Sequence, residues 1–277
     1  MKTNSAPENR TAWMLLALMA FSVIASSVIH HCFPSLLQVR SEAVAFSRYP
    51  VMFLLDLIPI VLAWLCFEHA RRTMGFYQAS VFLGGSFFFT GLVENIWVLF
   101  GRFMIGTVSL VADGASGTYY YTRGFFWWIE TPILICLAWF FLAYSCVYAV
   151  HVIAPKLPAV LRAALGGILA VIFDLWLDPV QVSAPWKSWV WLSNDHIRIF
   201  SIPLSNFIGW FLMVFVFAWF FERLPRFRER FSPGVSAFLF YLSLLGLAFG
   251  IFLVQIAYGL ITMRLIDTTM NLTCGGI

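Results

Sequence analysis

The sequence predicts an all-α, polytopic integral membrane protein of about seven transmembrane helices, and three observations predict it. Hydrophobic residues make up 61% of the 277-residue chain and charged residues only 11%, against about 45–50% and about 25% in an average soluble domain. Mean hydropathy is +0.87, and so few charges could not cover the surface of a water-soluble globule. The apolar residues also fall into separate runs, each near the roughly 20 residues that cross a hydrocarbon core. Disorder, a coiled coil and nucleic-acid binding are excluded at the same step, because the net charge of +4 is spread between apolar runs and forms no basic patch.

The first run, 12–30, follows the polar opening MKTNSAPENR and ends in HHCFPSLL. No small-residue cleavage site follows it, so it reads as a retained span and not a secretion signal. The second, 51–68, stops at EHARR, and the third covers 77–100. The fourth, 125–150, ends at HVIAPKLP; the fifth, 159–178, is expected to break where Pro179 disfavours helix at Asp178. The sixth, 203–221, stops at ERLPRFRERFSP, and the last, 235–263, is long for a span and is expected to tilt. The whole chain, 1–277, reads as one transmembrane domain, with no soluble domain, internal repeat or low-complexity linker legible. Cys32, Cys66, Cys136, Cys146 and Cys274 include no CxxC pair and imply neither a metal site nor a disulfide framework.

Loop charges set the expected orientation. With the N-terminus inside, Lys2, Arg10, Arg71, Arg72, Lys156, Arg162, Arg223, Arg226, Arg228 and Arg230 are cytoplasmic. Arg40, Arg48, Arg102, Arg123, Lys187, Arg198 and Arg264 are then outside. The four arginines of 223–230 favour this N-inside, C-outside arrangement.

Charged groups inside a bilayer are expensive and default to functional hypotheses. Five acids lie in or at the ends of spans: Asp56, Glu94, Glu130, Asp174 and Asp178. In this topology all five fall within roughly 10 Å of the outer boundary, at about 1.5 Å of rise per residue. The expectation is one polar pocket open toward the outer face. Any single acid could instead pair with an outer-loop arginine and merely staple the bundle; the clustering of the set favours function. In Asp174-Leu-Trp-Leu-Asp178-Pro179 the i, i+4 spacing puts both carboxylates on one helix face. Two like charges in a low dielectric do not both ionise cheaply, so one is expected to keep its proton. Glu130 is expected in the first turns of its span, where the helix dipole favours the anion. The pattern offers a candidate acid and a candidate base.

Tyr119-Tyr120-Tyr121, Phe126-Trp127-Trp128, Trp186, Trp189 and Trp191 read mostly as an interfacial belt. Their coincidence with the acid layer admits a second role, because aromatic faces stabilise carbocations. No metal is expected: His30, His31, His69, His151 and His196 show no HxxxH or ExxH spacing. The DxxxD looks like half of a prenyltransferase magnesium site without its second acidic motif. No Walker loop, GxGxxG or nucleophile elbow occurs, so no nucleotide cofactor is expected either.

Residues 174–210 contain DLWLDPVQ, WKSWVW and IPLSNFIGW. This resembles the carotenoid biosynthesis membrane proteins that include the carotenoid 1,2-hydratases of the bisanhydrobacterioruberin hydratase type. Asp174, Asp178, Pro179, Trp189, Trp191, Pro203, Asn206, Gly209 and Trp210 match that family's motifs, and upstream so do Glu94, Gly117, Tyr119, Tyr121, Pro132, Trp139 and Tyr144. The resemblance covers about residues 85–221. Ser201 departs from a glycine before Ile-Pro, Glu130-Thr131-Pro132 departs from a Gly-Val-Pro-like stretch, and the segment between Glu94 and Gly117 is longer.

The resemblance implies a cofactor-free enzyme in a bacterial or archaeal cell membrane, adding water across the terminal isoprenoid double bond of an acyclic carotenoid end group. Joined to the acid layer, it makes Asp174 and Asp178 the expected proton donor, Glu94 the group that orients or deprotonates water, and Asn206 the amide that positions them. Tyr119, Tyr121, Trp189, Trp191, Trp210, Glu130 and Asp56 are expected around the lipophilic polyene or terpenoid. A membrane terpenoid cyclase, a second possibility, uses the same alkene protonation and differs only in what captures the cation. A transporter or heptahelical receptor is the non-enzymatic alternative, against which the lack of legible repeats counts.

Overall fold

The computed structural model describes residues 5–33, 36, 49–100, 118–183, 186–191 and 197–274. The described spanning helices are α1 (Ala6–Cys32), α2 (Tyr49–Met74), α3 (Phe76–Phe100), α4 (Ile133–Ile153), α5 (Ala159–Val182) and α6 (Leu204–Phe221), the last extended by the short α7 (Leu224–Arg230). The seventh spanning helix is α8 (Pro233–Cys274). All seven are long and apolar enough to cross a membrane. Helix α1 starts in a capping box, with the Ser5 N–H donating to the Glu8 carboxylate at 2.7 Å. Glu8 also pairs with Arg228 of α7. Helices α4 and α6 each start from a proline, Pro132 and Pro203, where a missing N–H costs least.

Helix α3 is the hub. It packs against α1, α2, α4 and α8, and 78% of its span is buried against 22% for α1 and α2. Small residues allow that approach: a Cβ on Gly91 would sit 2.7 Å from the Trp128 ring. On α5, a Cβ on Gly167 would lie 2.9 Å from the backbone oxygen of Phe211 in α6. Lipid gives helices no hydrophobic reason to associate, so such close packing is what joins them.

Among the described residues, six short strands lie between the helices. β1 (Tyr119–Tyr121) pairs antiparallel with β4 (Trp189–Trp191). β2 (Trp127–Trp128) and β3 (Thr131–Pro132) form one hairpin, and β5 (Arg198–Ile199) and β6 (Ile202–Pro203) another. Their turns hold residues in the left-handed region, Ile129 at φ 56°, Phe200 at 50° and Ser201 at 68°.

Several span limits differ from those the sequence predicts. The fourth span begins at Ile133 and not at 125, because residues 127–132 are a hairpin ending at Pro132. The fifth does not break at Asp178 but continues through Pro179 to Val182. Backbone in lipid has no other partner than its own helix, and an internal proline sacrifices only one N–H. Helix α8 has 42 residues, about 63 Å at 1.5 Å per residue, which exceeds a core of about 30 Å.

The chain also repeats itself, contrary to the sequence expectation. The order α3–β1–β2–β3–α4 recurs as α5–β4–β5–β6–α6, and backbone hydrogen bonds recur with it. Ile133 N–H donates to the Phe126 carbonyl at 2.9 Å, as Leu204 N–H does to Ile197 at 2.8 Å. Thr118 N–H donates to Trp97 at 3.1 Å, as Ser188 N–H does to Gln181 at 2.8 Å. Seven residues after each proline stands a tryptophan, Trp139 and Trp210, and their ring centroids lie 4.3 Å apart. β1 and β4 are equivalent strands that pair antiparallel about Tyr120 and Val190, which is a local two-fold arrangement. The letters hide it because the equivalent positions hold different residues and the link from Phe100 to Tyr119 is longer than that from Val182 to Trp189.

Candidate active site

Consecutive spans run in opposite directions, so the ends of α3 and α5 meet the starts of α4 and α6 at one end of the bundle. Glu94 and Asp178 both lie there. Each stands three residues before one of the equivalent carbonyls of Trp97 and Gln181, so the two carboxylates are counterparts across the local two-fold. Between them is a pocket of 170 Å³. Glu94 lines it from α3 and Trp139 from α4, Asn206 and Trp210 line it from α6, the β1–β4 ribbon roofs it with Tyr119, Tyr121, Trp189 and Trp191, and Asp178 and Gln181 close it from α5.

The two carboxylates are held differently. Glu94 accepts from the Tyr119 hydroxyl, from the Tyr121 hydroxyl at 2.8 Å and from the Trp139 indole N–H at 2.8 Å. Burial, followed by the nearby Glu94 carboxyl, pushes both phenols well above their usual range, so both stay hydroxyl donors. On the opposite wall the Asn206 amide donates to Asp174 at 2.7 Å and to Asp178 at 2.6 Å. One NH₂ group carries two protons, so one serves each carboxylate. Asp174 itself is buried behind the pocket lining. Ring centroids of Tyr119 and Trp191 lie 4.8 Å apart, which continues the aromatic wall from Trp139 and Trp210.

Two residues expected around the substrate are elsewhere. Asp56 accepts from the backbone N–H groups of Phe125 and Phe126, at 2.8 and 2.9 Å. Ser27 accepts from Trp127 N–H at 2.9 Å, Ser26 from Ile129 N–H at 2.7 Å and Asn95 from Glu130 N–H at 2.7 Å. These side chains cap the donors of the β2–β3 hairpin, which in hydrocarbon would each cost several kcal/mol unpaired. Asp56 is thus an anchor for that hairpin. Glu130 occupies its turn and not the first turn of a helix. His30 stacks on Trp127 with centroids 4.4 Å apart and bonds the Ile129 carbonyl. The expected aromatic belt is largely internal: Tyr119, Tyr121, Trp127 and Trp189 are buried, while Trp186 is exposed. Gly117 and His196 lie outside the described residues.

A larger cavity, 1030 Å³, lies between α1 and α2. Its walls are almost wholly apolar, and the one acid on its rim, Glu68, is paired with Arg71 at 2.7 Å. It lacks the facing carboxylates, so the smaller pocket is the candidate.

The sequence profile of the carotenoid biosynthesis protein family matches residues 49–272. The chain belongs to that family. The matched stretch runs from α2 into α8 and takes in every residue of the carboxylate pocket, leaving α1 outside. No curated protein and no solved structure matches the chain. Family membership brings a biosynthetic role and implies a lipophilic isoprenoid substrate, which suits an apolar, aromatic-lined pocket at membrane depth. Trp139 and Gln181 line the pocket, and sequence reasoning left both out of the site. A tryptophan in an apolar run does not announce that its N–H meets a carboxylate; the signal available was its matching place with Trp210 after a proline.

Proposed function

We propose that the protein is a membrane hydratase that adds water to the terminal trisubstituted double bond of an acyclic carotenoid end group. The observation that carries this reading is the pair of carboxylate walls, unequal in their bonding, facing each other across an aromatic pocket. A proton passes from the Asp174–Asp178 pair to the less substituted alkene carbon, leaving a tertiary cation on its neighbour. The faces of Trp139, Trp210, Tyr119 and Trp191 stabilise that charge. Water then forms the C–O bond and gives its proton to Glu94, and as product leaves Glu94 releases that proton and the aspartate pair regains one, which restores both walls. The net change is one water added across one double bond, with no electron transfer and no cofactor consumed. Glu94 suits the acceptor role because three donors fix its carboxylate in place before any charge develops.

Asp174→Asn and Asp178→Asn should each lose at least roughly 100-fold in turnover, the lower range for general acid–base catalysis. Glu130→Gln, which lies outside the pocket, should lose far less. The assay is chromatography and mass analysis of an acyclic polyene incubated with the purified protein in lipid. A product heavier by one water supports hydration, while an isomer of unchanged mass would assign cyclisation. Wild-type rates in both aspartate variants would remove the pair from the chemistry.

A further inference from the structure

The carboxylate pocket opens in a direction that its chemistry alone does not require. Its roof is zipped shut among the described residues. Beyond the β1–β4 ladder, Thr122 N–H donates to the Ser188 carbonyl at 3.0 Å and the Thr122 hydroxyl to the Lys187 carbonyl at 2.5 Å. Arg123 donates to the Ser188 hydroxyl at 2.6 Å, and that hydroxyl donates to Gln181 at 2.6 Å. The α5–α6 side is closed by the Asn206 amide, which bonds Asp174 at 2.7 Å and Asp178 at 2.6 Å. Toward α3, the pocket ends on Glu94 and the buried Trp97.

Among the described residues, what remains is the side between α4 and α5. These helices are joined by the short link 154–158 at the far end of the bundle, so no chain connection crosses between them at the pocket end. The pocket surface there is formed by Ile135, Ala138 and Phe141 on α4 and by Phe173 and Leu177 on α5, all partly or well exposed. Phe173 is 39% exposed while lining the pocket, which places the rim at its ring. No ionisable or amide side chain stands among these rim residues. A water-borne polar ligand would find nothing to hold there, but a hydrocarbon would.

The volume decides how much of the ligand fits. Sites that engulf a whole drug-sized molecule measure about 300–1,000 Å³, and this pocket measures 170 Å³. It has room for an end group and not for a long polyene. We infer that a long-chain isoprenoid presents one terminus sideways, from the bilayer through the α4–α5 gap, while the rest of its chain stays against the outer faces of those helices. The pocket then reads the end group and is indifferent to chain length. This inference rests on the carboxylate pocket being the reactive site.

Two measurements test it in bilayer nanodiscs containing an acyclic C40 polyene. The first places a benzoylphenylalanine photo-crosslinker at Leu177, on the rim, or at Leu245, an exposed position on α8, away from α4 and α5. Crosslinking to the polyene should be about tenfold or more higher at Leu177, a preference of about 1.4 kcal/mol. The second staples the roof with the paired substitutions Tyr120→Cys and Val190→Cys, whose positions face each other in the ribbon. Oxidising that pair should leave turnover unchanged. Equal crosslinking at the two positions, or turnover lost on oxidation and restored by reductant, would overturn lateral entry in favour of entry through the roof. Rim crosslinking in a protein that turns over no isoprenoid would sink the hydratase reading and leave lateral entry standing.

Discussion

Asn206 shows how much a single residue decides in this pocket. Its one amide group bonds two carboxylates at once, 2.7 Å from Asp174 and 2.6 Å from Asp178, and so fixes the spacing of the pair. Asn206→Leu should abolish turnover while the protein still inserts and purifies as wild type; unimpaired turnover would reduce Asn206 to a helix–helix bridge of the kind common in membranes. The pairing was legible in the sequence, because i, i+4 spacing and a neighbouring motif asparagine need no tertiary knowledge. Asp56 was not. A buried acid in an apolar run reads as functional whether it meets a substrate or a backbone, and only the fold shows it capping Phe125 and Phe126. Glu130 misled for a related reason: its place in a helix or a turn depends on Pro132, whose role as a stop for the preceding hairpin is clear only once Trp127 and Trp128 are seen paired across it.

At the scale of elements, the apolar runs located every spanning helix among the described residues, because length and hydropathy are what the bilayer selects. Their edges were less legible. A two-residue strand of tryptophan is indistinguishable in composition from a first helical turn, so the fourth span looked longer than it is. The fifth reads as shorter, since Pro179 locally disfavours helix while the lipid that penalises any break leaves no mark in the sequence. Packing between elements rests on small residues, and the close contact at Gly167 offers a test. Gly167→Leu should lower the thermal midpoint in detergent and reduce the folded yield, since the Phe211 backbone cannot retreat from a new side chain without parting α5 from α6. Gly246→Leu, at a position where an added Cβ would meet nothing within 4 Å, should change neither. Equal losses in the two variants would deny the α5–α6 contact its importance. Size-exclusion profiles and melting curves in one detergent suffice.

For the whole molecule, loop charge predicts that the N-terminus is inside and the C-terminus outside, with the pocket toward the outer face. A reporter fused after Ile277 should therefore be active only if it functions outside the cell membrane; a cytoplasmic signal would invert the assignment and move the pocket to the inner face. The repeat of α3–α4 as α5–α6 was beyond the reach of sequence comparison, since it survives in hydrogen bonds and element order while Glu94 answers to Asp178 and Tyr121 to Trp191. That correspondence bears on stereochemistry. A cavity on a true two-fold axis would offer a flat alkene two equivalent poses, and a proton could arrive on either prochiral face with equal ease. Here one wall carries a carboxylate gripped by two phenols and an indole, and the other carries two carboxylates sharing an amide. The poses are no longer interchangeable, and the added hydrogen is directed to a single face of the double bond.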